Sequence, residues 1–241
     1  MGQVTAVVEA GGWARIRIDN QPYRNCLGRA MWNQLRECAQ ALARDGQVRA
    51  VVVEGVGRDF TTGYDLSELA GQPVSMVNRA FQEMEAAIAA VESLPVPVIA
   101  AVRGYCLGGG FELALAADLR WVGDDARLGM PVARLGIMLS RRFAWRLVQA
   151  LGPSAAKELL FTGRLLDAHE ALQRGVANRV VPAGEVALAA GEVATAIARL
   201  SPSAVQQAKR SVGEVVGPAT DDAPYFVDAA DFAAAVERFR R

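Results

Sequence analysis

The segment that most constrains the fold is a short apolar strand followed by three consecutive glycines and a helix. The residues VIAAV at 98–102 have the composition of a buried strand, and Gly108–Gly110 open an apolar helix that reaches Ala116. Glycine permits a positive φ and lets another group approach the backbone closely. Because the first amides of a helix lack intrahelical partners and lie at the positive end of its dipole, such a turn can stabilise a developing oxyanion. Glu112 lies about one helical turn further on, as a catalytic carboxylate or as a residue that favours the helix dipole.

A second strand leads into a glycine-containing loop earlier in the chain. The run AVVVE at 50–54 precedes RDFTTGYDLSEL at 58–69, which alone indicates a turn with Asp65 or Ser67 as a helix N-cap. The GVG at 55–57 does not complete a dinucleotide-binding fingerprint, because Phe60 stands where a third glycine is needed. A Rossmann-type site is therefore not predicted.

The order of the predicted elements indicates an α/β core followed by a helical region. Strands are predicted at 4–9, 14–18, 50–54, 98–102, 119–122 and 126–128, with a turn at Gly11-Gly12 and helices at 27–43, 75–91 and 108–116. After Ser140 the pattern is helical at 142–150, 154–161, 167–174, 185–200, 202–212 and 221–238, with one strand at 179–181. Strands with interleaved helices followed by helices alone fit this two-part organisation.

Composition excludes several classes of protein. The 26 basic and 26 acidic side chains cancel, which gives no reason to expect nucleic acid or an anionic membrane as a partner. Three cysteines outside any CxxC pair and one histidine do not make a four-ligand structural zinc site, so no metal is predicted. The sequence has no run of about 18 apolar residues and no signal peptide pattern at its start, so we expect a cytoplasmic protein.

The two glycine segments, in this order and spacing, resemble the crotonase or enoyl-CoA hydratase-isomerase superfamily. DFTTGYD is similar to the family pattern AFxAGAD, and VPVIAAVRGYCLGGGFELALAAD is similar to KPVIAAVxGxxxGGGxELALAxD. The resemblance extends over residues 4–238 through three further segments, which are QPYRNCLGRAMWNQL, GPSAAKELLFTGRLLDAHEALQRGVANRVVP and SPSAVQQAKR. It implies an α/β fold with a crotonase-type ββα spiral core at 1–183, helical in character after about 140, and a helical trimerisation region at 184–241. Homotrimers or dimers of trimers are expected.

The same resemblance implies an acyl-CoA thioester as substrate, with coenzyme A part of that substrate and no separate cofactor. The backbone amides of Tyr64 and Gly109 correspond to the oxyanion hole, and Glu112 matches the first of two hydratase glutamates. Arg24 falls where a basic side chain approaches the ligand phosphates, and the backbone at 60–63 is expected to contact the adenine end. The predicted substrate-binding positions are Arg24, Phe60, Thr62, Gly63, Asp65, Gly108, Val132, Leu139 and Arg142.

One departure from the family pattern bears directly on the chemistry. The second glutamate of a hydratase follows a proline in a pattern like FGQPExxLG, and here LGMPVARLG places Val132 at that position. No Asp or Glu occurs between Ala126 and Lys157. Because hydration uses one carboxylate to activate water and another to protonate carbon, slow hydration is predicted. The predicted function is a hydratase/isomerase-like enzyme that stabilises a thioester enolate; the alternatives are an acyl-CoA decarboxylase or a non-catalytic acyl-CoA-binding protein.

Two further departures leave alternatives open. Ser140, Arg141 and Arg142 form either a cationic patch that recognises a carboxylate on the acyl group or the start of a helix with solvent-facing arginines. Tyr64 replaces a small residue, and its ring packs, narrows the acyl pocket or offers a phenol as donor. A serine peptidase of the related ClpP-like fold is not predicted, because no serine with matched histidine and aspartate partners is visible and His169 is the one histidine of the chain.

Overall fold

The structure, a computed structural model, describes residues 2–216, 226–227 and 237. The strands are β1 (Gln3–Glu9), β2 (Trp13–Asp19), β3 (Val51–Gly55), β4 (Val98–Val102), β5 (Tyr105–Leu107), β6 (Leu119–Gly123), β7 (Arg127–Gly129), β8 (Ile137–Met138), β9 (Leu166–Asp167), β10 (Arg179–Val181) and β11 (Phe226–Val227). The α-helices are α1 (Arg29–Arg44), α2 (Val74–Glu92), α3 (Gly109–Ala116), α4 (Arg141–Thr162), α5 (Ala168–Gln173), α6 (Val186–Ala198) and α7 (Pro202–Val216).

The largest sheet has the strand order β1-β2-β3-β4-β6-β10. β1 and β2 form an antiparallel hairpin. The other strands of this sheet, β3, β4, β6 and β10, run parallel to β2. A smaller sheet has the order β5-β7-β9, and β8 pairs with β11 in an antiparallel ribbon. The carboxyl ends of the parallel strands β3 and β4 therefore lie at one edge of the main sheet, and the two glycine segments follow them.

The central strands are covered on both faces, which explains their uninterrupted apolar sequences. Side chains alternate along a strand, so Val51 and Val53 join the larger core with α1, α2 and α3, while Val52 joins a smaller core with α6 on the opposite face. Every residue of β3 and β4 is buried. A parallel sheet sandwiched in this way is the arrangement that the runs AVVVE and VIAAV predict.

The structure confirms the α/β class and most predicted elements. The turn at residues 11–12 joins β1 and β2, and the helix predicted from the three glycines begins at Gly109. The helices predicted at 142–150 and 154–161 lie within α4, which is bent at Gly152, where φ is +74°.

Two predictions about the region after Ser140 were wrong. One strand was expected there, but β9 and β11 are present as well. The predicted helix at 221–238 cannot be continuous, because Phe226–Val227 pairs with Ile137–Met138 as a strand, a local backbone pairing that helical periodicity does not reveal. The rest of that segment, except residue 237, lies outside the described residues.

The described residues include no helix with the length and apolar character needed to cross a membrane. Within the same residues, no group of three or more His, Cys, Asp or Glu side chains is placed to hold a metal ion. The predicted boundary between residues 183 and 184 stays a prediction. α6, which follows this boundary, packs on the main sheet through Val186, Ala190 and Ala194.

Candidate active site

The two glycine turns meet at the carboxyl ends of β3 and β4. Thr61 and Cys106 form a parallel bridge, in which the Thr61 amide donates to the Tyr105 carbonyl (3.1 Å) and the Leu107 amide donates to the Thr61 carbonyl (3.0 Å). Gly63 has a φ of +87°, and a methyl group built on it would lie 2.7 Å from the Gly109 amide nitrogen. Glycine is therefore required at position 63 by its conformation and by the approach of the second turn.

The amides of Tyr64 and Gly109 are directed away from the surrounding secondary structure. Leu27 donates to the Gly63 carbonyl (2.8 Å) and accepts from the Asp65 amide (2.9 Å), which is the pattern of a parallel bridge. In that pattern the N–H of Tyr64, between the two bonded residues, points to the opposite side. Gly109 is the first residue of α3, so its amide has no intrahelical acceptor.

Tyr64 and Gly109 both line a cavity of about 590 Å³. Apolar side chains form most of the wall, which keeps water away from polar groups inside and strengthens their interactions. The residues that line the cavity are Pro22, Tyr23, Arg24, Cys26, Thr62, Tyr64, Asp65, Leu66, Ser67, Phe81, Met84, Leu107, Gly108, Gly109, Met130, Pro131, Val132, Leu135, Ile137 and Leu139.

Most of the predicted site residues lie in this wall. These are Arg24, Thr62, Tyr64, Asp65, Gly108, Gly109, Val132 and Leu139. Phe60, Gly63, Glu112 and Arg142 are outside it. Phe60 is fully buried in the core. A side chain at Gly63 would meet the Gly109 backbone, so both positions contact protein and not the cavity.

The polar side chains at the mouth have local structural contacts. Arg24 adopts a left-handed conformation, with φ +51°, and its guanidinium stacks on the Tyr105 ring at 4.6 Å from the centroid. The Asp65 carboxylate accepts from the Ser67 amide (3.0 Å) and hydroxyl (2.6 Å), so it is the N-cap that the sequence allowed. Arg24 is exposed, which leaves its charge available to a ligand at the mouth.

Glu112 lies inside the protein and is bound by an arginine that the sequence analysis did not single out. Its carboxylate is completely buried, and its Oε1 lies 2.8 Å from Nη1 of Arg146, whose side chain is 1% exposed. The guanidinium therefore stabilises the Glu112 carboxylate in its charged form. The structure does not place this carboxylate in the cavity wall.

Arg146 also binds two glutamates of α2. Its Nε and Nη2 contact Glu92 at 2.9 and 2.8 Å, and its Nη1 lies 2.8 Å from Glu85. Burial opposes the charge of Glu92, but hydrogen bonds and charges from Arg146 and Arg142 together hold its pKa below the ordinary value. The seven-residue spacing of Glu85 and Glu92 on one helix face was the signal that could have indicated an inward-facing acidic pair.

Arg142 belongs to the same cluster of ions. Its Nη2 lies 2.8 Å from Glu92 and its Nε 3.7 Å from Glu85. Ser140 caps the start of α4 by accepting from the Phe143 amide at 3.0 Å, so the segment is a helix start, but Arg142 does not face solvent as that interpretation expected. Arg142 is partly buried between α2 and α4, so its charge is directed at protein carboxylates and not into the cavity.

Two uncharged side chains of the cavity wall are Val132 and Cys26. Val132 stands where the hydratase pattern has its second glutamate. It is 8% exposed and lines the cavity with an apolar side chain. Cys26 also borders the cavity, and burial, followed by the charges of Asp65 and Glu68, raises its pKa to about 11. The wall therefore contains Asp65 as its single carboxylate among the described residues, and that group is used as an N-cap.

Comparison with known proteins agrees with this geometry. The family model for enoyl-CoA hydratase/isomerase matches residues 9–227. A probable enoyl-CoA hydratase of Mycobacterium bovis is 34% identical over 209 residues, which cover 86% of this chain and 80% of the relative. The mitochondrial Delta(3,5)-Delta(2,4)-dienoyl-CoA isomerase of Rattus norvegicus is 35% identical over 207 residues, which cover 80% of this chain and 63% of the relative.

A solved structure gives the same result for the fold. The crystal structure of an enoyl-CoA hydratase from Bacillus anthracis matches with a TM-score of 0.86 at 30% identity, covering 98% of this chain and 88% of the other. The fold is therefore the predicted crotonase-type α/β fold. The chain belongs to the enoyl-CoA hydratase/isomerase family. Its relatives support a hydratase/isomerase-like acyl-CoA enzyme.

Proposed function

We propose that this chain binds an acyl-CoA thioester with the thioester oxygen between the backbone amides of Tyr64 and Gly109, and that it stabilises the enolate formed there. The contact between the two glycine turns supports the proposal, because Tyr64 and Gly109, which belong to these turns, line the same apolar cavity. Fixed N–H donors in such a cavity stabilise negative charge as it develops on an oxygen. Coenzyme A enters as part of the substrate, and no separate cofactor is proposed.

Arg24 is proposed to bind the phosphates of coenzyme A at the cavity mouth. Its guanidinium is exposed and is stacked over the Tyr105 ring, which defines its position. An arginine oriented by stacking presents several N–H donors to a phosphate. The overall charge of the chain is zero, so attraction of the anionic ligand depends on local groups of this kind.

Glu112 is the proposed acid and base for any proton transfer that the enzyme carries out. Its helix begins at the Gly109 amide, so the carboxylate lies about one turn from the proposed oxyanion hole. One carboxylate suffices to move a proton between carbons, which is the requirement of a double-bond isomerase. Hydration needs a second group, and Val132 cannot supply it. We therefore expect hydration slower than in a two-carboxylate enzyme by about a hundred- to ten-thousandfold.

Decarboxylation is the second candidate, and the covered position of Glu112 favours it. Loss of carbon dioxide from a malonyl-type thioester leaves the bonding electron pair on the α-carbon, from which it delocalises onto the thioester oxygen. The resulting enolate needs the two amides but no side-chain base to form, and a water molecule then gives the α-carbon its proton. A carboxylate that is fully buried and bound to Arg146 does not hinder this reaction.

The reaction type is tested by turnover of crotonyl-CoA, a 3-enoyl-CoA and a malonyl-type CoA, beside direct measurement of binding. Isomerisation of the 3-enoyl-CoA with slow hydration of crotonyl-CoA supports the first proposal. Turnover confined to the malonyl-type thioester supports decarboxylation. Binding of all three without turnover indicates an acyl-CoA-binding protein, and hydration at the rate of a two-carboxylate enzyme contradicts the prediction based on Val132.

The oxyanion hole is tested separately by the carbonyl itself. An acyl-CoA is expected to bind more tightly than the matched alkyl-CoA thioether, which lacks the carbonyl oxygen, and its bound carbonyl stretch is expected at lower frequency. Gly109→Pro removes one donor at a helix position where proline is tolerated, and we expect a rate loss of about a hundred- to thousandfold. Gly109→Ala keeps the amide and is the matched control. Equal affinity for the acyl-CoA and the thioether, together with unchanged turnover in a folded Gly109→Pro variant, would refute the proposal that these amides form an oxyanion hole.

We also propose that the chain assembles as a homotrimer or as a dimer of trimers. The proposal rests on family membership and on the helical region that follows β10. Light scattering at micromolar concentration is expected to give three or six times the chain mass. A monomer at that concentration contradicts it.

A further inference from the structure

Tyr64 lies between two cavities. One is the cavity of about 590 Å³ that holds the proposed oxyanion hole, and the other is a smaller cavity of about 190 Å³. Tyr64 is the one described residue that borders both. The smaller cavity is lined by Arg29, Tyr64, Glu68, Leu69, Gln72, Met76, Arg79, Ala80 and Glu83.

The ring of Tyr64 is fixed by aromatic neighbours. It stacks on Trp32 with a centroid distance of 6.5 Å and an interplanar angle of 21°, and it meets Phe81 edge-on at 5.7 Å. Phe81 and Met84 border the larger cavity, whereas Ala80 and Glu83 on the same helix border the smaller one. The ring therefore forms the partition at the point where α2 passes from one cavity to the other.

Charged groups on both sides of the ring act on its phenol. Glu68, Glu83 and Arg29 line the smaller cavity, and Asp65 lines the larger one. Burial and the two glutamates raise the pKa of Tyr64, so the phenol stays protonated. Within the described residues its hydroxyl makes no hydrogen bond, so no protein group holds the ring in place through its oxygen.

We propose that the Tyr64 ring closes the acyl end of the larger cavity and restricts the enzyme to thioesters with short acyl chains. This inference rests on the proposed function, because it takes the thioester oxygen to lie on the Tyr64 amide. The acyl carbons next to that carbonyl then run along the apolar wall beside the ring of the same residue. The space beyond the ring is reached only when the ring is removed.

The test uses saturated acyl-CoAs of increasing length, which need no turnover. In the wild type, affinity is expected to rise about fourfold for each buried methylene, the equivalent of about 0.8 kcal/mol, and to stop rising at a short chain length. In Tyr64→Ala the rise is expected to continue over further carbons, because the two cavities join. Tyr64→Phe keeps the partition and is expected to keep the wild-type limit.

A second substitution distinguishes a joined pair of cavities from a general loss of packing around residue 64. Ala80→Phe in the Tyr64→Ala background refills the smaller cavity and is expected to restore the short limit. Tyr64→Leu, which leaves more of the packing against Trp32 and Phe81, is the replacement if Tyr64→Ala does not fold, and it is expected to shift the limit in the same direction.

Three results would count against the inference. An unchanged limit in the folded Tyr64→Ala or Tyr64→Leu variant overturns it, as does a wild-type affinity that keeps rising with long chains. If no acyl-CoA binds the wild type more tightly than coenzyme A alone, the proposed function fails together with the inference. Tight binding of acyl-CoAs with no dependence on Tyr64 overturns the inference alone.

Discussion

Removal of the Arg146 guanidinium is the perturbation for which the structure gives the clearest magnitude. Arg146→Met keeps much of the side-chain length but leaves Glu112 completely buried without the cation that lies 2.8 Å from it. Loss of one partner from a buried ion pair costs about 3–5 kcal/mol, because the remaining charge stays desolvated. With a urea dependence of about 2–3 kcal/mol per molar, the unfolding midpoint is expected to fall by about 1–2 M.

Glu112→Gln is expected to have a smaller effect on stability. Arg146 then still has Glu85 and Glu92 as partners, and the new amide can accept a hydrogen bond, so the expected cost is about 1–3 kcal/mol. In the Arg146→Met background the same change removes an unpaired buried charge and is expected to restore stability. The resulting coupling energy between the two positions is expected to be about 1–3 kcal/mol.

The assay is urea unfolding of the four proteins at one fixed concentration, because assembly contributes to apparent stability. Arg164→Met is the matched surface control, since Arg164 binds Glu158 and Glu170 at 2.8 and 2.7 Å but all three side chains are considerably exposed. Exposed ion pairs contribute about 0–1 kcal/mol. A coupling energy near zero, or equal effects of Arg146→Met and Arg164→Met, would refute the conclusion that Arg146 holds Glu112 as a buried anion.

Three further predictions concern the cavity. Gly63→Ala is expected to reduce turnover by about a hundredfold or more, because its methyl would lie 2.7 Å from the Gly109 nitrogen; Gly71→Ala, at a similar φ of +73° but with open space around it, is the control, and equal losses would contradict the reasoning. Cys26 is expected to react with iodoacetamide at pH 8 about a hundredfold more slowly than a thiol with pKa 9.0. Its reaction rate is expected to rise about tenfold per pH unit up to the pKa of about 11, whereas a plateau of the rate near pH 9 would show that the pKa is not shifted. Val132→Glu is expected to raise the hydration rate of crotonyl-CoA above that of the wild type, measured by loss of the enoyl absorbance, and no gain in a folded variant would show that more than a carboxylate is missing.

The sequence was sufficient to locate the strands of the main sheet, the two glycine turns and the residues at the cavity entrance. Those features depend on local requirements, such as β-branched runs for buried strands and glycine where φ is positive. The meeting of Gly63 with Gly109 was predictable from the resemblance, since each turn alone has an ordinary structural interpretation. The strand at Phe226–Val227 was not predictable, because a two-residue pairing with a distant segment leaves no periodicity in the sequence.

The surroundings of Glu112 could not be predicted for a different reason. Whether a glutamate one turn into α3 faces a cavity or a guanidinium depends on how α2 and α4 pack around it. Arg146 lies 34 residues after Glu112, and Glu92 lies 54 residues before Arg146. Charged side chains on amphipathic helices are normally solvent-facing, and the seven-residue spacing of Glu85 and Glu92 does not identify the cation or the third carboxylate that they meet.

Val132 and Arg146 alter the balance of catalytic contributions in the same direction. A general acid or base contributes about a hundred- to ten-thousandfold, and each oxyanion-hole donor contributes about a hundred- to thousandfold. Val132 supplies no acid–base group, and the ion pair with Arg146 favours the charged form of Glu112, which makes this carboxylate a weaker proton acceptor. The two backbone amides are unaffected by either change. The reactions that retain most of their rate on this scaffold are therefore those whose barrier is dominated by enolate charge, and a reaction whose rate is limited by proton transfer to or from a side chain loses the most.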